Sequence, residues 1–568
     1  MSSAEASEFR PSRWNRLFFF LIAACAASAA LQPVRSYDLG WHLATGRLMV
    51  SEGGIPRTDP FSFTRSGTPW LDHEWLFQIP AYLGYAAAGW KALALGTLFL
   101  SVAAYLLLAL CARSRAGDTD GVTVLLALSL AGARFRFDPR PEMVSYLFLA
   151  ALCFLLEWSR RRGTAASASP LFAVFALWAN FHPAALLGAA VLVAWVAGES
   201  IQDRLAGRRS TFSPARTWVA LLSPMAMMLN PGGWRILLVP LELHRIIASG
   251  HAPNLEWARP TYAEFPLLYG SAILGLALVL SGPKRIDWPP TLAASVAGVL
   301  AFQQLRNIGF FFLLLPLALA RPLADRIRAG KLPRLVMRVL GGASLMALAI
   351  LFASEAPALN RRSYLDPVAP EGAVRFLDRY QVGKRLFNDV KFGGYLIWRR
   401  YPEHPVFIDG RNEVYDSLLA EIFHALGSWK GWEEMLARYE IDAAMLRRGQ
   451  LQAVEYPPVS SGSPPRKEMR AFSAAYFQSS RWALVYWDDH AVIFVRRDDP
   501  SYRGLLELEY RVVNPDDSNH LLEEIRHGRA DRTAALRELD RNLRGNPGCW
   551  SARLLRDQIA ALEATSGS

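Results

Sequence analysis

An aspartate and a histidine stand one helical turn apart in Tyr37-Asp38-Leu39-Gly40-Trp41-His42, directly after the first long apolar run, residues 17–34. A carboxylate placed there can take up a proton, and an imidazole can exchange one or bind a metal. Asp38 could equally be the N-cap of a short interfacial helix, and His42 with Trp41 could be interfacial anchors. Asp72-His73-Glu74 ends a long polar stretch, either as the solvated start of an amphipathic helix or, with His42, as ligands for a divalent ion. Arg134, Arg136 and Arg140 follow a very short apolar run, and Arg306-Asn307 lies between two more. Charge at that depth is costly and marks function by default. The planar fork of arginine suits bidentate phosphate binding; ion pairing with Asp138 or Glu142 is the structural alternative. Asn180-Phe181-His182 and Glu256-Trp257 complete the set, while Asn230-Pro231-Gly232-Gly233 reads as a turn.

The elements that must position these groups are hydrophobic. The chain has 568 residues, 52% of them hydrophobic, with the apolar runs crowded between residues 17 and 353. This distribution describes a polytopic α-helical membrane domain followed by a soluble part. Eleven apolar segments are expected, at 17–34, 91–112, 121–133, 143–158, 169–182, 183–199, 217–230, 266–282, 289–304, 308–320 and 337–353. The first, behind Arg10, Arg13 and Arg16, lacks a cleavage pattern and is read as an uncleaved helix. The net charge of +12 does not point to nucleic acid, because many basic residues punctuate the apolar runs. The four cysteines form neither a disulfide framework nor a metal-ligand spacing.

Loop charge sets the orientation. With residues 1–16 cytoplasmic, the inner segments, which include Arg208, Arg209, Lys284 and Arg285, hold 20 basic residues against 11 in the outer ones. The positive-inside rule favours that arrangement. A long first loop, residues 35–90, then faces outward, and so does everything after about residue 354. All the polar groups above fall on that outer face, whereas the inner loops carry no histidine.

Residues 354–510 read as an α/β domain. Strands are expected at Arg385–Asp389, Pro405–Asp409 and Ala443–Leu446, with a helix beginning at Gly393-Gly394, helical structure over 417–440, and a hairpin of Trp482–Trp487 with Ala491–Arg496. Tyr456–Pro465 is a loop. Asn388-Asp389, Gly393-Gly394 and Asp409-Gly410-Arg411-Asn412-Glu413 would sit at strand ends, either as a glycan-binding edge or as turn chemistry. Residues 511–568 read as a tetratricopeptide-like helical hairpin, too short for an array.

The order Asp38-x-x-x-His42-x-x-x-Gly46, Gly53-x-Ile-Pro-x-x-Asp-Pro-Phe-Ser62, Trp70 and Glu74-Trp75-Leu76 resembles a narrow group of bacterial polytopic proteins. So do Arg140-Pro-Glu142, Asn180-Phe-His182, Asn230-Pro and Arg306-Asn307. The group is similar to the GT-C glycosyltransferases, among them the protein O-mannosyltransferases and the lipid A aminoarabinose transferases. The resemblance covers roughly residues 30–320. It implies a polyprenyl-phosphate sugar as donor, an active site on the outer face of a bacterial inner membrane, and transfer to a periplasmic or cell-surface glycan, lipid or protein. Asp38 matches the family's catalytic aspartate, a general base, and Arg136, Arg140 and Arg306 would hold the phosphate. His42, Glu142, Asn180, His182, Glu256 and Asn307 are the further substrate-binding candidates. Some relatives carry two adjacent acids where this chain has Asp38 alone, so a divalent metal stays an open cofactor. A non-catalytic protein that binds or transports a lipid-linked glycan, and a structural subunit docking partners outside the membrane, are the alternatives.

Overall fold

The computed structural model describes residues 13–31, 34–117, 120–207, 213–251, 254–281, 286–355, 369–456 and 466–565. Residues 1–12 of the expected cytoplasmic segment, Arg208, Arg209, Lys284, Arg285 and most of the Tyr456–Pro465 loop lie outside them. The chain divides into two bodies. The first comprises Met1–Ser36, Thr45–Ile55 and Leu71–Leu365; the second comprises Tyr37–Ala44, Pro56–Trp70 and Asp366–Ser568. The expected first loop is therefore shared between them, and it holds two helices, Leu39–Glu52 and Trp75–Ala88.

The first body is helical. Trp90–Ala116, Pro141–Arg162, Ala185–Leu205, Leu305–Arg328 and Arg334–Ser354 are long and apolar enough to cross a membrane by length and composition. Arg16–Ala30, Ala165–Phe181 and Pro266–Leu280 are shorter apolar helices. The segment expected over 217–230 is not one helix: Pro214–Leu222 gives way to a 3-10 stretch, Ser223–Leu229, where Pro224 lacks the N–H that an α-helix would use. The helix Ile308–Arg328 is apolar nearly all round, and it is buried accordingly, against Asp120–Ala133 and Trp288–Gln303. Several charges of the expected inner loops are buried as ion pairs. Arg115 bonds Glu157 and Asp287, and Arg216 reaches Glu199 at 3.2 Å.

The second body is α/β. β1 (Leu386–Asn388), β2 (Ala443–Arg447), β3 (Leu451–Tyr456), β4 (Arg466–Ala471), β5 (Trp482–Trp487) and β6 (Ala491–Arg496) form two sheets. One has the order β1-β2-β6-β5, with β1 parallel to β2 and the other pairs antiparallel; β3 and β4 form a separate antiparallel pair. β2, β5 and β6 are buried along nearly their whole length, as expected of continuous apolar runs covered on both faces. Pro405–Asp409 is not a strand of this sheet. It runs beside the 61–63 segment instead, with Phe63 N donating to Val406 O at 3.1 Å and Val406 N to Phe61 O at 3.0 Å. Residues 417–440 are covered by two helices, Asn412–Ala425 and Trp429–Arg438. Three helices, Ser518–Arg526, Arg532–Gly545 and Trp550–Thr565, close the described chain.

Candidate functional site

The candidate residues fall into three groups, two in the first body and one in the second. The first is an ion cluster where helix Asp120–Ala133 ends in the 3-10 turn Arg134–Arg136 and the chain re-enters helix Pro141–Arg162 at Pro141. Proline suits that first helical position, because its missing N–H has no intrahelical use there. Arg136 is buried between Glu142, bonded through Nε at 3.2 Å and through a second nitrogen, and Glu256, 3.0 Å away. Arg140 reaches Glu256 at 2.7 Å, and Tyr146 donates to Glu142 at 2.5 Å. Asp138 accepts from the Arg35 amide at 3.1 and 3.2 Å. Two arginines thus meet two glutamates. Arg136 and Arg140 are already neutralised, so the structural alternative accounts for their contacts.

The second group joins the end of the long first loop to the end of helix Pro170–Phe181. Asp72 and His73 are buried, not solvated as an amphipathic helix start would be, because Gln78 donates to Asp72 at 2.8 Å within the helix that follows. Glu74 Oε1 lies 3.9 Å from His73 Nε2 and 3.7 Å from His182 Nε2. The other ring nitrogen of His182 is 2.9 Å from Ser145 Oγ, which also accepts from the Trp178 indole at 2.8 Å. Asn180 accepts from Trp75 at 2.7 Å. Burial, assisted by the positive charge of Arg306, lowers the His73 pKa to about 4, so the ring is neutral at pH 7. Arg306 lies over the Trp257 ring at 4.8 Å and is paired to no carboxylate among the described residues. Asn307 Nδ2 donates to Gln304 at 3.1 Å.

The third group belongs to the second body and contains Asp38. Its Oδ1 accepts from the Trp41 indole at 3.3 Å, and the Trp41 and His42 rings lie 3.7 Å apart. Three glycines, Gly40, Gly394 and Gly410, make room for this segment. A methyl on Gly40 would come closer than 3.0 Å to the Gly394 carbonyl, and one on Gly394 would lie 2.5 Å from the Tyr37 carbonyl. A methyl on Gly410 would strike Asp38 Oδ1, and one on Gly393 the Ile408 carbonyl. Gly394 and Gly410 are therefore a seat for residues 37–41, and Gly393 lets its helix approach Ile408 and Asp409. Their neighbours are structural too. Asn388 holds Phe407 N and Ile408 O at 2.9 and 2.8 Å, and Asp389 caps helix Val390–Arg400 by accepting from Lys391 N at 2.8 Å. Burial pushes the Asp389 carboxyl above its ordinary value.

Sequence reasoning missed the group that holds the seat. Arg411, fully buried, bonds Asp59 at 2.7 Å and Asp409 at 2.6 Å, and Tyr415 donates to Asp409 at 2.6 Å. The guanidinium also lies over Trp70 at 4.5 Å and Phe61 at 5.1 Å. Asp59 further accepts from the Phe61 and Ser62 amides, both at 3.1 Å. The signal was present in Asp59-Pro60-Phe61-Ser62, where an Asp two and three residues before free amides forms such a turn. Among the described residues no three His, Cys, Asp or Glu side chains stand together as a metal-binding group, and the candidate ligands His42, Asp72, His73 and Glu74 do not form one.

No protein-family model matches this chain, and no curated protein does. Solved structures do. An oligosaccharyltransferase of Archaeoglobus fulgidus, crystallised with zinc and sulfate, superposes with a TM-score of 0.50 at 12% identity, over 91% of this chain and 84% of that one. ArnT of Cupriavidus metallidurans, bound to undecaprenyl phosphate, gives a TM-score of 0.49 at 13% identity, over 87% and 98%. The likeness is one of fold, extending over nearly the whole chain. Among the described residues the chain is mostly helical, with five helices long and apolar enough to cross a membrane and a C-terminal sheet region.

Proposed function

We propose that this protein is a membrane glycosyltransferase that moves a sugar from a polyprenyl-phosphate donor to an acceptor on the outer face of a bacterial inner membrane. The observation that carries the reading is the seating of Asp38. Three glycines close on the backbone and carboxylate of one short segment, next to a buried Asp–Arg–Asp group, in a chain whose fold matches an oligosaccharyltransferase over nearly its whole length. Asp38 is the general base. It takes the proton from an acceptor hydroxyl as that oxygen bonds the sugar's anomeric carbon, and the bond to phosphate breaks with its electron pair leaving on the lipid phosphate.

Arg306 is the stronger candidate for the phosphate, since no described carboxylate neutralises it, while Arg136 and Arg140 are held by Glu142 and Glu256. His182, Asn180, Glu256 and Asn307 are candidates for substrate hydroxyls, and His42 supports Trp41.

The test is Asp38→Asn in the source bacterium, with the protein's level in the membrane checked and the surface glycans and glycoproteins profiled. Loss of one glycan species at normal protein level is expected. An unchanged profile would remove the catalytic reading and leave a lipid-linked-glycan binder. The proposed topology, N-terminus inside and second body outside, is read independently by an alkaline phosphatase fusion at the C-terminus, which should be active.

A further inference from the structure

The second body carries a cleft of about 550 Å³ that none of the residues discussed above line. Its volume is in the usual range of small-molecule sites, roughly 300–1,000 Å³. The walls are helix Glu371–Tyr380, strand β5 and the C-terminal end of helix Arg532–Gly545. One wall is aromatic: Phe376 lies 4.7 Å from Tyr380 and 4.9 Å from Tyr486, centre to centre.

Two of the cleft's charges are already used. Asp378 binds the buried Arg400 at 3.0 Å, and Arg541 donates to the Leu508 and Glu509 carbonyls at 3.0 and 2.8 Å. Arg379 stays exposed on the rim, beside Tyr380, so the accessible edge is positive.

On the third wall Asn542 is buried, 3% exposed. Its Nδ2 donates to the Trp487 carbonyl at 2.9 Å, which fixes the amide's orientation. It also reaches the Tyr510 hydroxyl at 3.4 Å, so the amide ties the helix to the strand side of the cleft.

We propose that this cleft binds an acidic saccharide. The apolar C–H face of a pyranose ring lies on Phe376 and Tyr486, whose ring faces carry the negative side of the aromatic quadrupole. Arg379 pairs the carboxylate. A neutral sugar would not need the cationic rim, and a bare anion would not need the aromatic wall. The site is independent of the role given to Asp38.

The full-length protein in detergent is titrated with digalacturonate, neutral digalactose and inorganic phosphate, with binding read by saturation-transfer NMR on the sugar ring protons. Digalacturonate should bind saturably and digalactose much more weakly, while phosphate should not displace the acid sugar. Arg379→Gln, a surface change, should weaken digalacturonate roughly ten-fold, the loss of one charged hydrogen bond. Phe376→Ala should abolish transfer to the ring protons. The proposal fails if digalacturonate shows no saturable binding, if digalactose binds equally, if phosphate displaces the sugar, or if both variants bind as the parent does.

Discussion

Alanine at position 394 should loosen the segment that carries Asp38, against what helix propensity alone predicts. Gly394 lies inside helix Val390–Arg400, where exchanging glycine for alanine ordinarily stabilises by about 0.5–1 kcal/mol. Here the new methyl would sit 2.5 Å from the Tyr37 carbonyl oxygen and 3.3 Å from Trp41 Cδ1. Ordinary contact begins near 3.4 Å, so the Tyr37 main chain must retreat by nearly 1 Å. Main chain cannot relieve the clash by changing rotamer, and such overpacking costs about 1–3 kcal/mol. The clash therefore outweighs the propensity gain, with a net loss of about 1 kcal/mol, or roughly five-fold in a local opening equilibrium. Hydrogen exchange followed by mass spectrometry, on the detergent-solubilised full chain, reads this in peptides covering residues 37–44. Gly545→Ala is the control, since that glycine ends a helix and faces open space; it should leave those peptides unchanged. Exchange in Gly394→Ala as slow as in the parent would refute the seat.

Gly410→Ala tests the side chain instead of the backbone. Its methyl meets only the far end of Asp38, so thermal stability should hold while transfer activity falls at least as far as a displaced general base implies, about 10²-fold; equal loss of both would point to misfolding. Arg411→Met leaves Asp59 and Asp409 buried without their cation, and a loss of about 3–5 kcal/mol is expected in thermal unfolding of the purified protein. The pH dependence of stability should carry the mark of His73. Its folded pKa, about 4, lies below the ordinary 6.5, so the contribution is full above pH 6.5 and is lost as pH falls towards 4, by up to about 3 kcal/mol. His73→Gln should flatten that part of a melting-temperature profile.

Much of the architecture was legible because its causes are local. Apolar runs bounded by proline and glycine marked the helices around residues 91–112, 143–158 and 183–199, and the structure has Trp90–Ala116, Pro141–Arg162 and Ala185–Leu205. The hairpin of β5 and β6 and the strand β2 followed from short runs of β-branched and aromatic residues. Where reading failed, a distant partner or a local break that hydropathy does not register had decided the outcome. Pro405–Asp409 has a strand's composition but is bonded by residues of the first loop, and Pro224 divides an apolar run that hydropathy alone treats as continuous. Asp72 and His73 looked like a solvated helix start because nothing in their own sequence announces Gln78 and Arg306 beside them.

The sequence by itself determined that a membrane-type helical domain precedes an α/β part, and that Asp38, the arginines and the histidines are its chemically unusual residues. Tertiary structure alone decided which of them are spoken for. Glu256 neutralises Arg136 across 120 positions, Asp59 finds Arg411 across 352, and Gly40 meets Gly394 at a distance too short for any side chain. Such pairings depend on how the chain closes on itself, because the desolvation of a charge and the fit of a methyl are set by neighbours in space.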